Sequence, residues 1–342
     1  MSFTGEMRSE LEAALRAHGE GPVPPDRMPE FRTFAADPEP RDMVAVDGSY
    51  NFLLNLSSWW LALISVGLLR YSFRGGRYRR EDWRLVQRIM GVSTWEPFVA
   101  QQDALHKALF EFTRGQADQH RQIVNEYRRF LEGQLAVNVA DQEEGRIVAI
   151  DGALAAFPKE FDVMPRLVRV CENRRHLLVG ISKDSELHAF GQAQTDEDFL
   201  RRCQSALDRQ ALAFVRAPPE AETAQRGLLY GDVYYVRFHP RSSKWFRVDL
   251  GTGRDDPEAA FRQVAPYCRS LISIGYPLPL FEAHRMAVTV RQLRDVHQEA
   301  VLRTAVRMGM DIRQLLDGLT GIEGRKRGAF HEYLDRVTRG LR

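Results

Sequence analysis

Two apolar runs of strand character each end on the same dipeptide: Val44-Ala45-Val46-Asp47-Gly48 and Ile147-Val148-Ala149-Ile150-Asp151-Gly152. A carboxylate at the tip of a buried strand is costly unless something compensates its charge. Any fold that buries both strands must therefore bring a partner to both acids. Glycine after each aspartate predicts a sharp backbone turn at each strand end, so that both carboxylates point into one crevice, where a divalent cation would neutralise them. Far downstream, Gly275-Tyr276-Pro277 and Ala283-His284 would add a phenol and an imidazole to the same place.

At 342 residues and 44% hydrophobic content, the chain can bury a large core and is not disordered as a whole. Its three cysteines, Cys171, Cys203 and Cys268, are far apart and without metal-like spacing. They point to a reducing compartment, the cytoplasm by default, without disulfides or structural zinc. A net charge of only +2 means that affinity for a polyanion must come from local clusters. The apolar stretch Phe52 to Leu69 is broken by Asn55, Ser57 and Ser58 and falls short of the roughly 20 apolar residues of a membrane span. A turn and a buried strand are expected there, and the first residues carry no pattern of an export signal.

Along the chain, Glu6 to His18 reads as an amphipathic helix, followed by a Pro-rich connector from Gly21 to Pro40. Strands are expected at Met43 to Asp47, Trp59 to Tyr71, Arg146 to Asp151 and His176 to Ser182, and Val233 to Phe238 with Trp245 to Leu250 alternates like an antiparallel hairpin. The pattern from Arg84 to Ala140 is helical, above all Ala117 to Val139. Thr195-x-x-Asp198 caps a helix to Leu212. Asp256-Pro257 opens a helix to about Arg269, Leu271 to Ile274 gives a last short strand, and Pro279 to Gly309 is one long helix bearing His284. The tail from Asp311 to Arg342 is helical and basic. This order predicts an α/β fold: a ribonuclease H-like mixed sheet flanked by helices, with an N-terminal arm (1–41), a central domain (42–310) and a helical C-terminal extension (311–342).

Asp47, Asp151 and His284 are hard-to-borderline donors suited to Mn²⁺ or Mg²⁺, and an imidazole among oxygens tilts the choice to Mn²⁺. Such a site can activate water and stabilise the leaving oxygen of a phosphodiester. Taken singly, each Asp-Gly also fits a common turn, His284 a helix histidine and Tyr276 a core ring; the chemical reading rests on their joint occurrence. Lys183 would hold a phosphate oxygen beside the acids, or else balance Asp184 in solvent.

Four motifs in order, Val46-Asp47-Gly48-Ser49, Ile150-Asp151-Gly152-x-Leu154, Ile181-Ser182-Lys183 and Gly275-Tyr276-Pro277-x-Pro279-Leu280-x-x-Ala283-His284, resemble those of the NurA nucleases over about Asp42 to Val290. The resemblance implies a manganese-dependent DNA nuclease of 5′-to-3′ exonuclease and single-strand endonuclease activity. It also implies a homodimer acting with a hexameric HerA-type ATPase on DNA ends during double-strand-break repair. By the same resemblance Asp47 and Asp151 are principal metal ligands, His284 is a further one, and Tyr276 neighbours the scissile phosphate. A third acid is expected from the preceding helix, Glu132 ahead of Glu126. Ala153 departs from the serine common in the family.

Arg70, Arg74, Arg77, Arg79 and Arg80 interleave with Tyr71, Phe73 and Tyr78 around Gly75-Gly76, a composition suited to contact with single- or double-stranded DNA. The competing reading is a solvated hairpin tip with arginines paired to Glu81 and Asp82. No Gly-x-x-x-x-Gly-Lys-Ser/Thr loop occurs, so an ATP-driven motor would have to be separate. Two rival functions remain at this level. One is an actin-like or sugar-kinase phosphotransferase, from Val248-Asp249-Leu250-Gly251-Thr252-Gly253; the other is a non-catalytic nucleic-acid clamp.

Overall fold

A computed structural model describes residues 5–18, 23, 28–93, 104–157, 161–185, 187–190, 195–204, 207–208, 210–218, 229–251 and 256–319. The strands are β1 (Arg32–Phe34), β2 (Met43–Asn55), β3 (Trp59–Arg74), β4 (Arg77–Ser93), β5 (Ile147–Asp151), β6 (Leu177–Ser182), β7 (Leu212–Arg216), β8 (Asp232–Arg237) and β9 (Phe246–Leu250). The helices are α1 (Gly5–His18), α2 (Ala104–Phe112), α3 (Gln119–Ala140), α4 (Met164–Asn173), α5 (Asp196–Cys203), α6 (Pro257–Val264), α7 (Leu278–Ala287), α8 (Thr289–Gln292), α9 (Arg294–Arg307) and α10 (Ile312–Asp317).

All nine strands form one sheet in the order β1-β7-β8-β9-β6-β5-β2-β3-β4. β2, β3 and β4 are an antiparallel meander, β5 lies parallel to β2, and β6 lies parallel to β5. Those five strands, in the order third, second, first, fourth, fifth, are the ribonuclease H-like arrangement expected from the sequence. β9, β8, β7 and β1 extend the sheet antiparallel beyond β6. β1 therefore draws part of the N-terminal arm into the main sheet.

Alternation along the central strands sorts their side chains onto two cores. Met43, Ala45, Leu69, Ile147, Ala149 and Val179 pack with Phe261, Leu280 and Ala283 on one face. Val44, Val46, Leu68, Val148, Ile150 and Leu178 pack with Leu135, Ala136 and Leu167 of α3 and α4 on the other. Burial on both faces is why these strands read as nearly unbroken apolar runs.

Several expectations are corrected. β2 does not stop at Asp47 but runs on to Asn55, paired to β3. Residues 84–93 belong to β4 and not to a helix, paired along β3 for its whole length. As an edge strand exposed over most of its length, β4 has no buried stripe to give a period-2 signal. The helix capped by Thr195, whose side chain accepts from the Asp198 N–H, ends at Cys203, and Leu212 begins a strand. Leu271 to Ile274 is a turn. The long helix expected from Pro279 is three helices, with Thr289 Oγ1 donating to the Met286 carbonyl at 2.6 Å at the first break. Residues 94–103, positions 21–22 and 24–27 of the Pro-rich connector and the tail from 320 lie outside the described residues, while the rest of the connector is described and, contrary to expectation, holds an element, β1. No described helix is long and apolar enough to cross a membrane.

Candidate functional site

Asp47 sits in mid-strand on β2 and is 3% exposed. Its neighbour Gly48 faces α3, where an added Cβ would lie 2.8 Å from Arg128 Cγ and also collide with the Glu132 carboxylate. Gly48 thus makes room for a helix and does not turn the chain. Gly152 behaves as the sequence predicts: β5 ends at Asp151 and the chain turns with φ 110° at the glycine. The turn is held by Gly152 N–H donating to the Ile181 carbonyl at 2.9 Å and by Leu154 N–H donating to Asp249 Oδ2 at 3.0 Å. Asp249 is fully buried, and Arg247 of the same strand pairs with it through Nε at 2.8 Å and a terminal nitrogen at 3.1 Å.

α7 brings His284 to Asp47. Close approach of the helix depends on Gly67 of β3, where a Cβ would stand 2.9 Å from the Ala283 carbonyl oxygen. His284 Nδ1 donates to Asp47 Oδ2 at 2.7 Å. One ligand atom from each of Asp47, Asp151 and His284 lies within 4.8 Å of the others. Lys183, just after β6, pairs with Asp151 Oδ2, and its Nζ lies 5.2 Å from the centre of the Tyr276 ring. Asp184, the alternative partner for Lys183, pairs with Lys244 at 2.8 Å instead. Tyr276 is buried, its ring tilted against that of Phe246 with centres 5.4 Å apart, and its hydroxyl stands by the Asp151 carboxylate.

The two candidates on α3 differ. Glu126 is engaged by Arg129 at 2.6 Å. Glu132 is buried against Gly48, pairs with Arg128, and feels both strand acids. Burial pushes its carboxyl up to about 7; Arg128 pulls against this, and the charges of Asp47 and Asp151 add to the rise. Asp151 is likewise pushed up to about 6 by burial and then by Asp47, against the pull of Lys183. For Asp47, burial acts upward, but the His284 hydrogen bond and the charge of Lys183 outweigh it and hold the carboxyl below its ordinary value. Burial, then the charges of Asp151 and Asp47, raise the Tyr276 phenol well above its usual range. So much negative charge in so little space is what a divalent cation relieves, and two carboxylates with an imidazole are a donor set that Mn²⁺ or Mg²⁺ accepts. The residues fit the metal that the sequence implies.

The arginine cluster divides. Arg70 is engaged by Asp82 at 2.8 Å and Glu143 at 2.7 Å, the first being the pairing that the competing reading expects. Arg74 is bound by both oxygens of Asp42, and Arg80 approaches Glu282 at 3.5 Å. Arg77 and Arg79 are exposed and have no ion pair among the described residues. The last pair of their hairpin, Arg74 opposite Arg77, lies seven residues beyond Gly67, roughly 23 Å along the strand.

Sequence reasoning missed two contributors. Asp249, read there as part of a phosphate loop, is sealed inside and fixes the Asp151 turn; its signal was a carboxylate inside an apolar strand, the same signal as at Asp47. Trp83 is 59% exposed and lines a cleft of about 570 Å³ with Arg80, Arg285 and Met286 beside the His284 helix. Its signal was a large aromatic directly after the charged run Arg79-Arg80-Glu81-Asp82.

A family model described as the NurA domain matches residues 41–289. The structure of the NurA nuclease from Sulfolobus solfataricus is similar to this chain with a TM-score of 0.54 at 13% identity, over 88% of this chain and 98% of that one. Human ENDOV gives a TM-score of 0.38 at 17% identity, over 84% of this chain and 99% of the other. At such identities the likeness speaks to the fold alone. No curated protein sequence matches.

Proposed function

The chain belongs to the NurA family, and on that premise we propose that it is a metal-dependent DNA nuclease. The observation that carries this reading is the convergence of Asp47, Asp151 and His284, with ligand atoms within 4.8 Å of one another, beside the Tyr276 hydroxyl. Asp47, Asp151 and His284, with Glu132 from α3, would hold Mn²⁺, or Mg²⁺ in its place. When bound, the cation supplies positive charge at a phosphodiester and makes a water molecule easier to deprotonate.

The chain's own residues supply the rest. Asp47 is kept ionised by His284, whereas burial and mutual repulsion push the carboxyls of Asp151 and Glu132 upward; a bound cation would hold both ionised as its ligands. Lys183 leaves Asp151 to hold a non-bridging phosphate oxygen, in a pocket where Phe246 and the Tyr276 ring keep water out. The Tyr276 hydroxyl donates to a second phosphate oxygen. Arg77, Arg79 and Arg80 contact the DNA backbone away from the cleft.

We extend the proposal to 5′-to-3′ exonuclease and single-strand endonuclease action, a homodimer, and partnership with a HerA-type hexameric ATPase in end resection. These finer properties are supported by family membership and by the absence of a nucleotide-binding loop from the sequence. Three free, buried cysteines suit a reducing cytoplasm. End-labelled DNA incubated with Mn²⁺ and with chelator tests the core claim: cleavage in Mn²⁺ alone is expected, and no cleavage in either would refute it. Replacing Arg77, Arg79 and Arg80 together by Ala should flatten the salt dependence of DNA affinity by about 0.9 in slope per lost phosphate contact. An unchanged slope would remove the hairpin tip from the DNA path.

A further inference from the structure

The turn that joins α6 to α7 carries the most exposed apolar pair among the described residues: Leu271 is 76% and Ile272 69% exposed, with Ile274 at 36% beside them. Burying either side chain would contribute roughly 1.5–3 kcal/mol, and a strand there, as the sequence pattern suggests, would have done so. The chain instead holds both in solvent on a well-braced support. Ser273 N–H donates to the Ser270 carbonyl at 3.2 Å, Gly275 N–H to the Cys268 carbonyl at 3.1 Å and Tyr276 N–H to the Ser273 carbonyl at 2.8 Å. Ser273 Oγ donates to the Tyr276 carbonyl at 3.1 Å. Gly275 has φ 82° and is seated so closely that a Cβ would stand 2.8 Å from Ser242 Oγ. The pair is thus a fixed prong.

Its place is set by the chain itself. Four residues separate Ile272 from Tyr276, so the tip is within roughly 14 Å of the cleft. Around it stand cations. Arg269 precedes the turn and Arg241 lies on the neighbouring loop that seats Gly275; both are exposed, and neither has an ion pair among the described residues. Both stand near His239, where, after burial, their charges hold the imidazole below its ordinary value. An apolar tip flanked by two guanidiniums that have no ion pair among the described residues is complementary to the end of a DNA duplex, which presents the flat face of a base pair rimmed by phosphates.

We propose that Leu271 and Ile272 form a wedge that inserts at the terminal base pair of duplex DNA and parts the strands, while Arg241 and Arg269 hold the flanking phosphates. The proposal rests on the nuclease reading of the neighbouring cleft. Apolar side chains driven between base steps unstack them at a cost of about a few kcal/mol per step, which the phosphate contacts offset. One strand would then be delivered to Tyr276 and Asp151 already separated from its complement.

The test is Leu271→Ser with Ile272→Ser, two exposed positions whose replacement leaves the core untouched. In Mn²⁺, digestion of a blunt end-labelled duplex should fall at least tenfold, digestion of the same sequence as a single strand should stay within twofold, and three unpaired terminal nucleotides should restore the duplex rate. In chelator, with 2-aminopurine in the terminal pair, the wild type should raise the fluorescence on binding and the variant should not. This second measurement needs no cleavage, so failure of the nuclease reading and failure of the wedge are separable. An unchanged blunt-duplex rate, equal loss on all three substrates, or no fluorescence rise in the wild type overturns the wedge. Light scattering that shows dissociation of the variant overturns it too and assigns the prong to a contact between copies of the chain.

Discussion

Asp47-Gly48 and Asp151-Gly152 deliver carboxylates to one place by different means. At the first pair the strand continues for several residues, and glycine is required because α3 leaves no volume for a side chain on that face of β2. At the second the strand stops, and glycine is required because φ is 110°, with nothing near enough for a Cβ to meet. One dipeptide thus answers a demand for space and the other a demand for conformation. The acids differ in the same way: Asp47 gains a hydrogen bond from His284 that keeps it ionised, and Asp151 is pushed up to about 6 by burial and by Asp47 itself. The two carboxylates are driven apart in how readily they ionise, although both would have to be ionised to hold one cation.

The largest expected effect tests whether both members are needed. Asp47→Ala and Asp151→Ala should each cut cleavage in Mn²⁺ by on the order of 10³-fold, the loss of about 4 kcal/mol of transition-state stabilisation. Circular dichroism should find both variants folded. If either keeps a tenth of the wild-type rate, the two acids are not one site and the comparison between them loses its chemical meaning.

How far the site was legible follows from the same two glycines. The order of motifs gave the sheet's five central strands and brought Asp47, Asp151, Lys183, Tyr276 and His284 together, because buried central strands advertise themselves by continuous apolar residues. The turn assigned to Gly48 was wrong because sequence carries no signal for how closely a helix will pass; Asp-Gly looks the same whether the constraint is steric or torsional. β4 was hidden for the opposite reason, since an edge strand with few buried positions has no pattern to read. Asp249 was visible as a residue and misread in role: only the fold shows that β9 lies against β6 and that its carboxylate reaches the Leu154 amide.

A double-mutant cycle sharpens the contrast between the glycines. Gly48→Ala should destabilise the protein by about 1–3 kcal/mol through overpacking against Arg128 and Glu132, and Gly152→Ala by a similar amount, about 1–3 kcal/mol, through backbone strain. Adding Glu132→Ala should relieve the first and not the second. In urea unfolding, Gly48→Ala and Glu132→Ala should couple by at least about 0.5–1 kcal/mol, whereas Gly152→Ala and Glu132→Ala should add within about 0.5 kcal/mol. Coupling of equal size in both cycles would mean that Gly152 also serves to make room.

The smallest effect concerns the acids without a metal. Asp151 is ionised less readily in the folded protein than in the unfolded chain, so between its ordinary value near 3.8 and about 6 the folded state holds a proton that the unfolded state has lost. Stability from this group therefore falls as pH rises through that window and stays lower above it. Asp47 is shifted the other way, so its contribution is present above the ordinary carboxylate range and is lost as pH falls through its lowered value. In chelator at pH 7.5, Asp151→Asn should unfold at a higher temperature than the wild type and Asp47→Asn at a lower one. Each difference should be on the order of 1 kcal/mol, or about 2–4 °C. The Asp151→Asn advantage should shrink as pH is lowered toward 4, where the folded carboxyl is protonated and the unfolded one begins to be. Mn²⁺ should lift the wild type above Asp151→Asn at pH 7.5 and widen its lead over Asp47→Asn, because the wild type gains a ligand interaction that Asn supplies only weakly. If the two variants shift in the same direction in chelator, the electrostatic division between the acids is absent, and the two Asp-Gly pairs differ in backbone alone.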